Sequence, residues 1–110
     1  MEDCVFCKIV RGEAGAEFVY KDEDLIAFKD IKPKAPVHIL IVPKKHIESV
    51  REVQDEDREI LGKIILTAKK IAEDLGVAES GYRLVINNGR GAGQLVPHLH
   101  LHLLASKKGE

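Results

Sequence analysis

Three histidines alternate with leucines in the stretch Val96-Pro97-His98-Leu99-His100-Leu101-His102-Leu103-Leu104. Successive side chains of a strand leave on opposite faces. The three histidines therefore share one face, and the leucines between them can enter a core on the other. Three interpretations of the histidine face are open: the polar face of an edge strand, a metal site, or a nucleophilic histidine held by histidine neighbours.

A glycine-rich segment precedes the histidines. Residues 87–94 read Asn-Asn-Gly-Arg-Gly-Ala-Gly-Gln and follow the strand-like residues 82–86. Glycine lets a backbone approach a ligand closely, and Asn87, Arg90 and Gln94 can supply hydrogen-bond donors. Such a loop suits a phosphate better than a bare metal ion, although a plain hairpin connection gives the same pattern.

Residues 93–104 resemble the histidine triad motif of the HIT superfamily of nucleotide hydrolases and transferases. The preceding Gly-Gln pair and the apolar alternation both agree with that motif. The similarity extends to Asp30, to His38 and to residues 43–46, Pro-Lys-Lys-His. The chain is most similar to the HINT-like branch, whose members are purine nucleoside phosphoramidases, so the resemblance implies the HIT-like fold and that activity on purine nucleotides.

The composition describes one small domain. The chain has 110 residues and a net charge of -1, so it is long enough for its own core and has no basic field for polymeric nucleic acid. No apolar run approaches the length of a membrane span, and the opening residues do not read as a signal peptide. Two cysteines without a secretion signal indicate a reducing compartment, the cytoplasm. We expect one domain over residues 1–110, with a loose tail from about residue 105.

Apolar periodicity predicts an α+β fold with an antiparallel sheet of about five strands. The expected strands cover residues 17–21, 24–29, 37–42, 82–86 and 96–104. Apolar residues that recur with helical spacing predict one long helix across the sheet, with Asp55 as its N-cap and Gly76 just after its end. A short N-terminal helix is expected through about Arg11, ended by Gly12.

The resemblance implies a nucleotide site on the segments before the long helix. In the family, an aspartate at the position of Asp30 binds both ribose hydroxyls, although a turn residue is the alternative interpretation. His38, in the expected central strand, is implied to border the site in a supporting role. Five apolar residues are implied as the purine pocket, although core packing explains them equally well: Val5, Phe6, Ile9, Phe28 and Ile31.

The pair Cys4-x-x-Cys7 has three interpretations. It is a redox pair, two buried and inert thiols, or half of a zinc site that needs two more ligands. The resemblance to zinc-bearing HIT proteins implies a closed, structural zinc site whose ligands are Cys4, Cys7, His46 and His98. Such a site would pin the N-terminal helix to the sheet.

The middle histidine is assigned as the nucleophile, because a histidine can be neutral and fixed in its tautomer near neutral pH. We expect Nε2 of His100 to attack the α-phosphorus while Nδ1 keeps its proton on a backbone carbonyl. Water then releases the nucleoside monophosphate from the nucleotidyl-histidine. His102 is expected to contact a phosphoryl oxygen or to help protonate the leaving group, and Asn87 and Gln94 to donate to phosphate oxygens. No catalytic metal is required.

Leu95, also placed at the nucleotide site, departs from the family pattern. The best-known phosphoramidase members carry serine after Gly-Gln, and leucine cannot donate a hydrogen bond to a phosphate or leaving group. Two alternative functions stay open: a dinucleoside polyphosphate hydrolase of the same superfamily, and a zinc-stabilised nucleotide-binding or scaffold protein with incidental catalysis. Because members of this branch are two-fold dimers, the resemblance also implies a homodimer.

Overall fold

The computed structural model of the chain describes residues 4–106, which form a five-stranded antiparallel sheet with one helix on each face. The strands lie in the order β1-β2-β3-β5-β4. Their bounds are β1 (Phe18–Lys21), β2 (Leu25–Lys29), β3 (Val37–Pro43), β4 (Arg83–Val85) and β5 (Leu101–Ala105). The helices are α1 (Val5–Val10) and α2 (Arg58–Asp74). The predicted α+β architecture is confirmed.

The two faces of the sheet meet different helices, because side chains alternate along each strand. The odd-numbered residues of the three inner strands pack in the larger core with α2: Leu25, Ala27, Val37, Ile39, Ile41, Leu101, Leu103 and Ala105. The even-numbered residues of β2 and β3 pack with α1 in a second cluster: Ile26, Phe28, Leu40 and Val42. Every residue of β3 is buried, as expected for the central strand. His38 and His102 have the even parity, so they belong to the α1 face.

The long helix begins differently from the prediction. Residues 55–57 form a 3-10 turn, and α2 follows directly. The N-cap of α2 is Asp57 rather than Asp55, and Gln54 caps the 3-10 turn, where the Asp57 carboxylate accepts a hydrogen bond of 2.9 Å from the backbone N–H of Gln54. The end of the helix agrees with the prediction. Gly76 follows it with a φ of 76°, a conformation that favours glycine.

The ladder of β5 is shorter than the strand expected over residues 96–104. It begins only at Leu101. Pro97 has no N–H to donate to a neighbouring strand. The N–H of Leu99 donates to the carbonyl of Ile47 at 2.6 Å, and that carbonyl lies outside the sheet. The segment before Leu101 is therefore held by a loop instead of by a strand.

Histidines and leucines nevertheless face opposite sides as predicted, both before and after Leu101, where β5 begins. The leucines that follow the three histidines all lie in the core with α2: Leu99, Leu101 and Leu103. Of the histidines, His98 and His100 are buried and His102 is half-buried. The separation of leucines from histidines thus depends on the extended backbone and does not require the ladder itself.

Strand β5 continues through Ala105, which pairs with Val37 and is buried. A loose tail therefore begins no earlier than residue 106, and the rest of the expected tail, residues 107–110, lies outside the described residues. Residues 1–3, which belong to the opening stretch that does not read as a signal peptide, lie outside them as well. Within residues 4–106, neither helix has the length and apolarity needed to cross a lipid bilayer.

Candidate active site and metal centre

The rings of the triad and of its neighbours form a continuous row on the α1 face. The ring centroids of His100 and His102 lie 4.9 Å apart, and those of His102 and His38 lie 5.1 Å apart. Phe6 of α1 meets the His100 ring edge-on at 5.0 Å and the His98 ring at 5.9 Å. Helix α1 therefore packs directly against the predicted nucleophile.

The hydrogen bonds of His100 determine which of its ring nitrogens is available. Nδ1 lies 2.7 Å from the carbonyl oxygen of His98, and a carbonyl can only accept, so Nδ1 carries the proton. The lone pair is on Nε2, which has no hydrogen-bond partner among residues 4–106 and keeps contact with solvent. Burial lowers the pKa of His100, against the opposing effects of this hydrogen bond and of Asp30, so the ring is neutral at pH 7. This is the tautomer expected of the nucleophile.

His102 is bound to His38 of β3. The backbone N–H of Lys34 donates to Nδ1 of His38 at 3.0 Å, so the proton of neutral His38 is on Nε2. That Nε2–H donates to Nδ1 of His102 at 2.9 Å. Burial lowers the pKa of His38, and burial followed by the charged forms of the neighbouring histidines lowers the pKa of His102 to about 4. Both rings are therefore neutral at pH 7.

Asp30 takes the turn position that was the alternative interpretation and also borders the triad. Its Oδ1 accepts a hydrogen bond of 2.9 Å from the backbone N–H of Lys32, and its own N–H donates to the His38 carbonyl at 3.0 Å. Its Oδ2 lies 3.4 Å from Nε2 of His38. The same short turn thus holds a carboxylate beside the histidines.

The five apolar residues predicted as the purine pocket divide into two groups. Phe6, Ile9 and Phe28 are buried between α1 and the sheet, and the rings of Phe6 and Phe28 meet edge-on at 5.6 Å. Core packing therefore accounts for these three. The side chains of Val5 and Ile31 are 42% and 88% exposed, so these two of the five residues are accessible to a ligand.

The glycine-rich loop is partly closed by hydrogen bonds within it. The N–H groups of Ala92 and Gln94 donate to the carbonyl of Gly89, and the N–H of Gly93 donates to the carbonyl of Arg90, all at 3.0 to 3.1 Å. The N–H of Gly89 donates to the side-chain oxygen of Gln94 at 2.8 Å. These four N–H groups bind within the loop, so they are not available to a phosphate.

Gln94 positions the segment before the triad. Because Oε1 accepts from Gly89, the amide orientation is determined, and Nε2 donates to the carbonyls of Glu48 at 2.6 Å and of Val96 at 3.0 Å. Both amide hydrogens are used, and the side chain is buried. In this structure the side-chain N–H groups of Gln94 are therefore engaged by carbonyls, and its contact with a phosphate stays a prediction.

Asn87 and Leu95 remain open on either side of this loop. Asn87 is half-buried and its side chain makes no hydrogen bond to another residue within 4–106, so its amide is available as a donor. Leu95 is 86% exposed and lines a surface cleft together with Arg51, Arg90 and Pro97.

Four ligand-type side chains converge beneath α1, as the resemblance implied: Cys4, Cys7, His46 and His98. Sγ of Cys4 lies 3.3 Å from Nδ1 of His98, and Sγ of Cys7 lies 3.2 Å from Nδ1 of His46. The two Nδ1 atoms are 3.2 Å apart. A tetrahedral zinc ion with ordinary bond lengths separates nitrogen from nitrogen by about 3.3 Å and sulfur from nitrogen by about 3.6 Å. The spacing therefore fits one metal ion.

The chemistry of the donor atoms also fits a metal ion. Nε2–H of His98 donates to the carbonyl of Pro43 at 2.8 Å, which leaves a lone pair on Nδ1, and burial lowers the pKa of the ring to about 4. Burial and the neighbouring Cys4 raise the pKa of Cys7, so a thiolate pair here requires a nearby cation. The four residues could therefore hold a metal ion in a closed tetrahedral site.

A second group of ligand-type residues does not fit a metal ion. Asp30, His38 and His102 also have ligand atoms within 4.8 Å of one another. The N–H of Lys34 occupies the Nδ1 lone pair of His38, so the proton of that ring stays on Nε2, where a metal would have to bind. This group is a hydrogen-bond network.

Two backbone groups of the site were not predicted from the sequence: the N–H of Lys34 and the carbonyl of Pro43. The available signal for the first was the pair Pro33 and Pro36, which keep the segment out of regular pairing and leave the N–H between them for a side chain. No signal existed for the second, because every residue has a carbonyl.

The sequence and structure match a known family. A family model described as the HIT domain matches residues 11–109. The chain belongs to the HIT family. A relative named purine nucleoside phosphoramidase, from Escherichia coli K12, is 47% identical to this HIT protein over 106 residues, which cover 96% of this chain and 89% of the relative.

Solved structures agree with this assignment. A HIT family hydrolase from Clostridium thermocellum is 53% identical, with a TM-score of 0.94 over 97% of this chain and 93% of the other. A Zn-bound histidine triad family protein from Mycobacterium smegmatis is 32% identical, with a TM-score of 0.82 over 99% of this chain and 78% of the other. The HIT protein described here is an enzyme with the fold of the family's hydrolases.

The role of Gln94 can be tested with an isosteric substitution. Gln94→Glu keeps the acceptor for Gly89 but places an oxygen against two carbonyl oxygens, so we expect the free energy of unfolding at pH 7 to fall by about 1–3 kcal/mol in urea denaturation. The control Ala92→Glu adds the same charge to an exposed position of the loop and is expected to cost less than about 0.5 kcal/mol. Equal losses in the two variants would contradict the positioning role.

Proposed function

We propose that this chain hydrolyses purine nucleoside 5′-phosphoramidates to nucleoside monophosphates through a nucleotidyl-histidine on His100. The observation that carries the proposal is the 2.7 Å hydrogen bond from Nδ1 of His100 to the carbonyl of His98, which leaves the Nε2 lone pair open. The substrate class is supported by the Escherichia coli relative named purine nucleoside phosphoramidase.

The reaction divides into two displacements at phosphorus. In the first, the Nε2 lone pair of His100 bonds to the α-phosphorus, and the P–N bond to the leaving amine breaks. The amine departs with the bonding electrons and takes one proton from the medium. Meanwhile the Nε2–H of His102 donates a hydrogen bond to a phosphoryl oxygen or to the departing nitrogen. In the second, water bonds to the same phosphorus, and the bond from phosphorus to Nε2 of His100 breaks with its electrons returning to Nε2. The water gives one proton to the medium, and the nucleoside monophosphate leaves.

The carbonyl of His98 stabilises the intermediate as well as the tautomer. Once Nε2 of His100 is bonded to phosphorus, the ring still carries its Nδ1 proton and is therefore cationic. A carbonyl oxygen 2.7 Å from that N–H is already oriented to stabilise the charge that develops.

The remaining site residues are assigned to parts of the nucleotide. Asp30 binds the ribose hydroxyls, because each carboxylate oxygen keeps a second lone pair beyond its present contact. The exposed side chains of Val5 and Ile31 cover the base. The open amide of Asn87 donates to a phosphate oxygen, and Leu95 lies near the leaving group.

The proposed nucleophile is tested by AMP release from adenosine 5′-phosphoramidate with a chelator present. We expect turnover by the wild type, and a loss of about 1,000-fold or more in His100→Ala with AMP binding retained, because the variant keeps the pocket and lacks the attacking nitrogen. A near wild-type rate in the variant would rule out the mechanism. Wild-type turnover of diadenosine polyphosphates in place of the phosphoramidate would rule out the substrate class.

We also propose that zinc occupies the four-residue metal centre in a purely structural role. The S₂N₂ donor set suits zinc, and the Mycobacterium smegmatis relative is described as Zn-bound. Such a site holds α1 against the sheet, because Sγ of Cys4 already accepts the N–H of Cys7 at the start of the helix. The free thiols fit a reducing compartment, and we place the protein in the cytoplasm.

Metal analysis of purified, unchelated protein tests the zinc assignment. We expect one zinc per chain, and in Cys7→Ser both lost zinc and a lower midpoint of thermal unfolding, because one thiolate ligand is removed. An exposed substitution on α2, Lys70→Ala, serves as the control and is expected to keep both values. Well below one zinc per wild-type chain would refute the assignment.

A second copy of the chain is proposed to cover the outer surface of α2 and the free edge of β4. Leu66 is 66% exposed and Ile65 is 46% exposed on the helix, and β4 ends the sheet with one side unpaired within residues 4–106. We expect sedimentation equilibrium to give the mass of a dimer, and Leu66→Glu to shift it towards the monomer. The monomer mass for the wild type would contradict this assembly.

A further inference from the structure

His38 lies at the site, but neither of the two displacement steps proposed above uses it. It is buried in β3 and touches neither the metal centre nor His100 by a hydrogen bond. A buried histidine in a central strand needs partners for both ring nitrogens. The partners of both nitrogens lie at the site: the N–H of Lys34 at Nδ1, and His102 together with Asp30 at Nε2.

The position of His38 relative to His102 is determined by the sheet. In the register of β3 and β5, Leu104 lies opposite His38, and His102 lies opposite Leu40. His38 and His102 are therefore diagonal neighbours on one face, a spacing that long side chains can bridge. The ladder holds Nε2 of His38 2.9 Å from Nδ1 of His102.

The hydrogen bonds allow only one arrangement of protons on the two neutral rings. Because the N–H of Lys34 points at Nδ1 of His38, that nitrogen must accept, and the ring proton is on Nε2. The Nε2–H then donates to Nδ1 of His102, so the proton of His102 is on its own Nε2. The opposite arrangement would bring two N–H groups together at Lys34.

The tautomer of His102 decides what it can do for a departing group. With the proton on Nε2, the outward nitrogen is a hydrogen-bond donor to a phosphoryl oxygen or to the leaving atom. With the proton on Nδ1, the outward nitrogen presents a lone pair to groups that are gaining negative charge, and the interaction is repulsive. The difference matters most when the leaving group is poor and needs a donor.

We propose that His38 is a positioning residue whose Nε2–H, oriented by the backbone N–H of Lys34, holds His102 in the tautomer that presents Nε2–H to the leaving group. The kinetic consequence rests on the proposed function, whereas the tautomer itself does not. Burial of both rings supports the proposal, because it keeps them neutral at pH 7, where a tautomer is defined.

The tautomer is measured directly by long-range ¹H–¹⁵N correlation spectra of the histidine rings in ¹⁵N-labelled protein at pH 7.5. In the wild type we expect His38 and His102 with the proton on Nε2, and His100 with the proton on Nδ1. In His38→Leu we expect His102 to lose its uniform Nε2–H state. The control Lys34→Ala keeps the backbone N–H and is expected to leave the spectrum unchanged.

A second variant covers the case in which His38→Leu fails to fold. His38→Gln offers an amide N–H in the same region, and we expect it to restore the Nε2–H state of His102. A wild-type His102 protonated on Nδ1 would overturn the proposal. So would a folded His38→Leu protein in which His102 keeps a uniform Nε2–H state.

The kinetic arm compares two leaving groups on the same nucleotide. In His38→Leu, kcat/KM is expected to fall about 100-fold for adenosine 5′-phosphoramidate, whose amine leaves poorly, and less than about 10-fold for the p-nitrophenyl ester of AMP, whose phenolate leaves without a donor. Equal losses for both substrates would contradict a role at the leaving group. If the wild type turns over neither substrate, the proposed function fails, and the ring spectra still decide whether His38 sets the tautomer.

Discussion

The hydrogen bond between the Nδ1–H of His100 and the carbonyl oxygen of His98 determines the chemistry of this site. A histidine can attack phosphorus only through an unprotonated nitrogen, and this bond puts the ring proton on Nδ1 and leaves Nε2 unprotonated. The carbonyl stays in place because the ring of His98 is immobilised, with Nε2–H on the carbonyl of Pro43 and Nδ1 at the metal centre. In our proposal, His98 thus contributes its side chain to the metal centre and its backbone carbonyl to the nucleophile.

Helix α1 depends on this arrangement and also contributes to it. At six residues it is too short to be stable through its own propensity, so it relies on packing and on Cys4 and Cys7. In return it brings the ring of Phe6 within 5.0 Å of the His100 ring. In our proposal, a metal ion bound by Cys4, Cys7, His46 and His98 would support His100 by holding the helix that packs on it.

The features that depend on side-chain alternation could be predicted from the sequence, and those that depend on particular backbone partners could not. Alternating apolar residues predicted most of the strands and the separation of leucines from histidines, and apolar residues at helical spacing predicted the long helix. The late start of β5 depends on a bond from Leu99 to Ile47 that no local pattern shows. Gln94 has the chemistry of a phosphate donor, but the carbonyl of Glu48, 46 residues away in sequence, takes one of its amide hydrogens. Pro33 and Pro36 indicated a free N–H at Lys34, but nothing in the sequence paired that N–H with His38 and His102.

The central claim is that His100 becomes covalently bonded to the nucleotide during turnover. The direct measurement is mass spectrometry of protein quenched in base within the first turnover of adenosine 5′-phosphoramidate, because base preserves a phosphorus–nitrogen bond to histidine. We expect intact protein heavier by one adenylyl group, with the added mass mapped to His100. AMP release at the full rate with no adduct in the first turnover, or an adduct on a different residue, would contradict the claim.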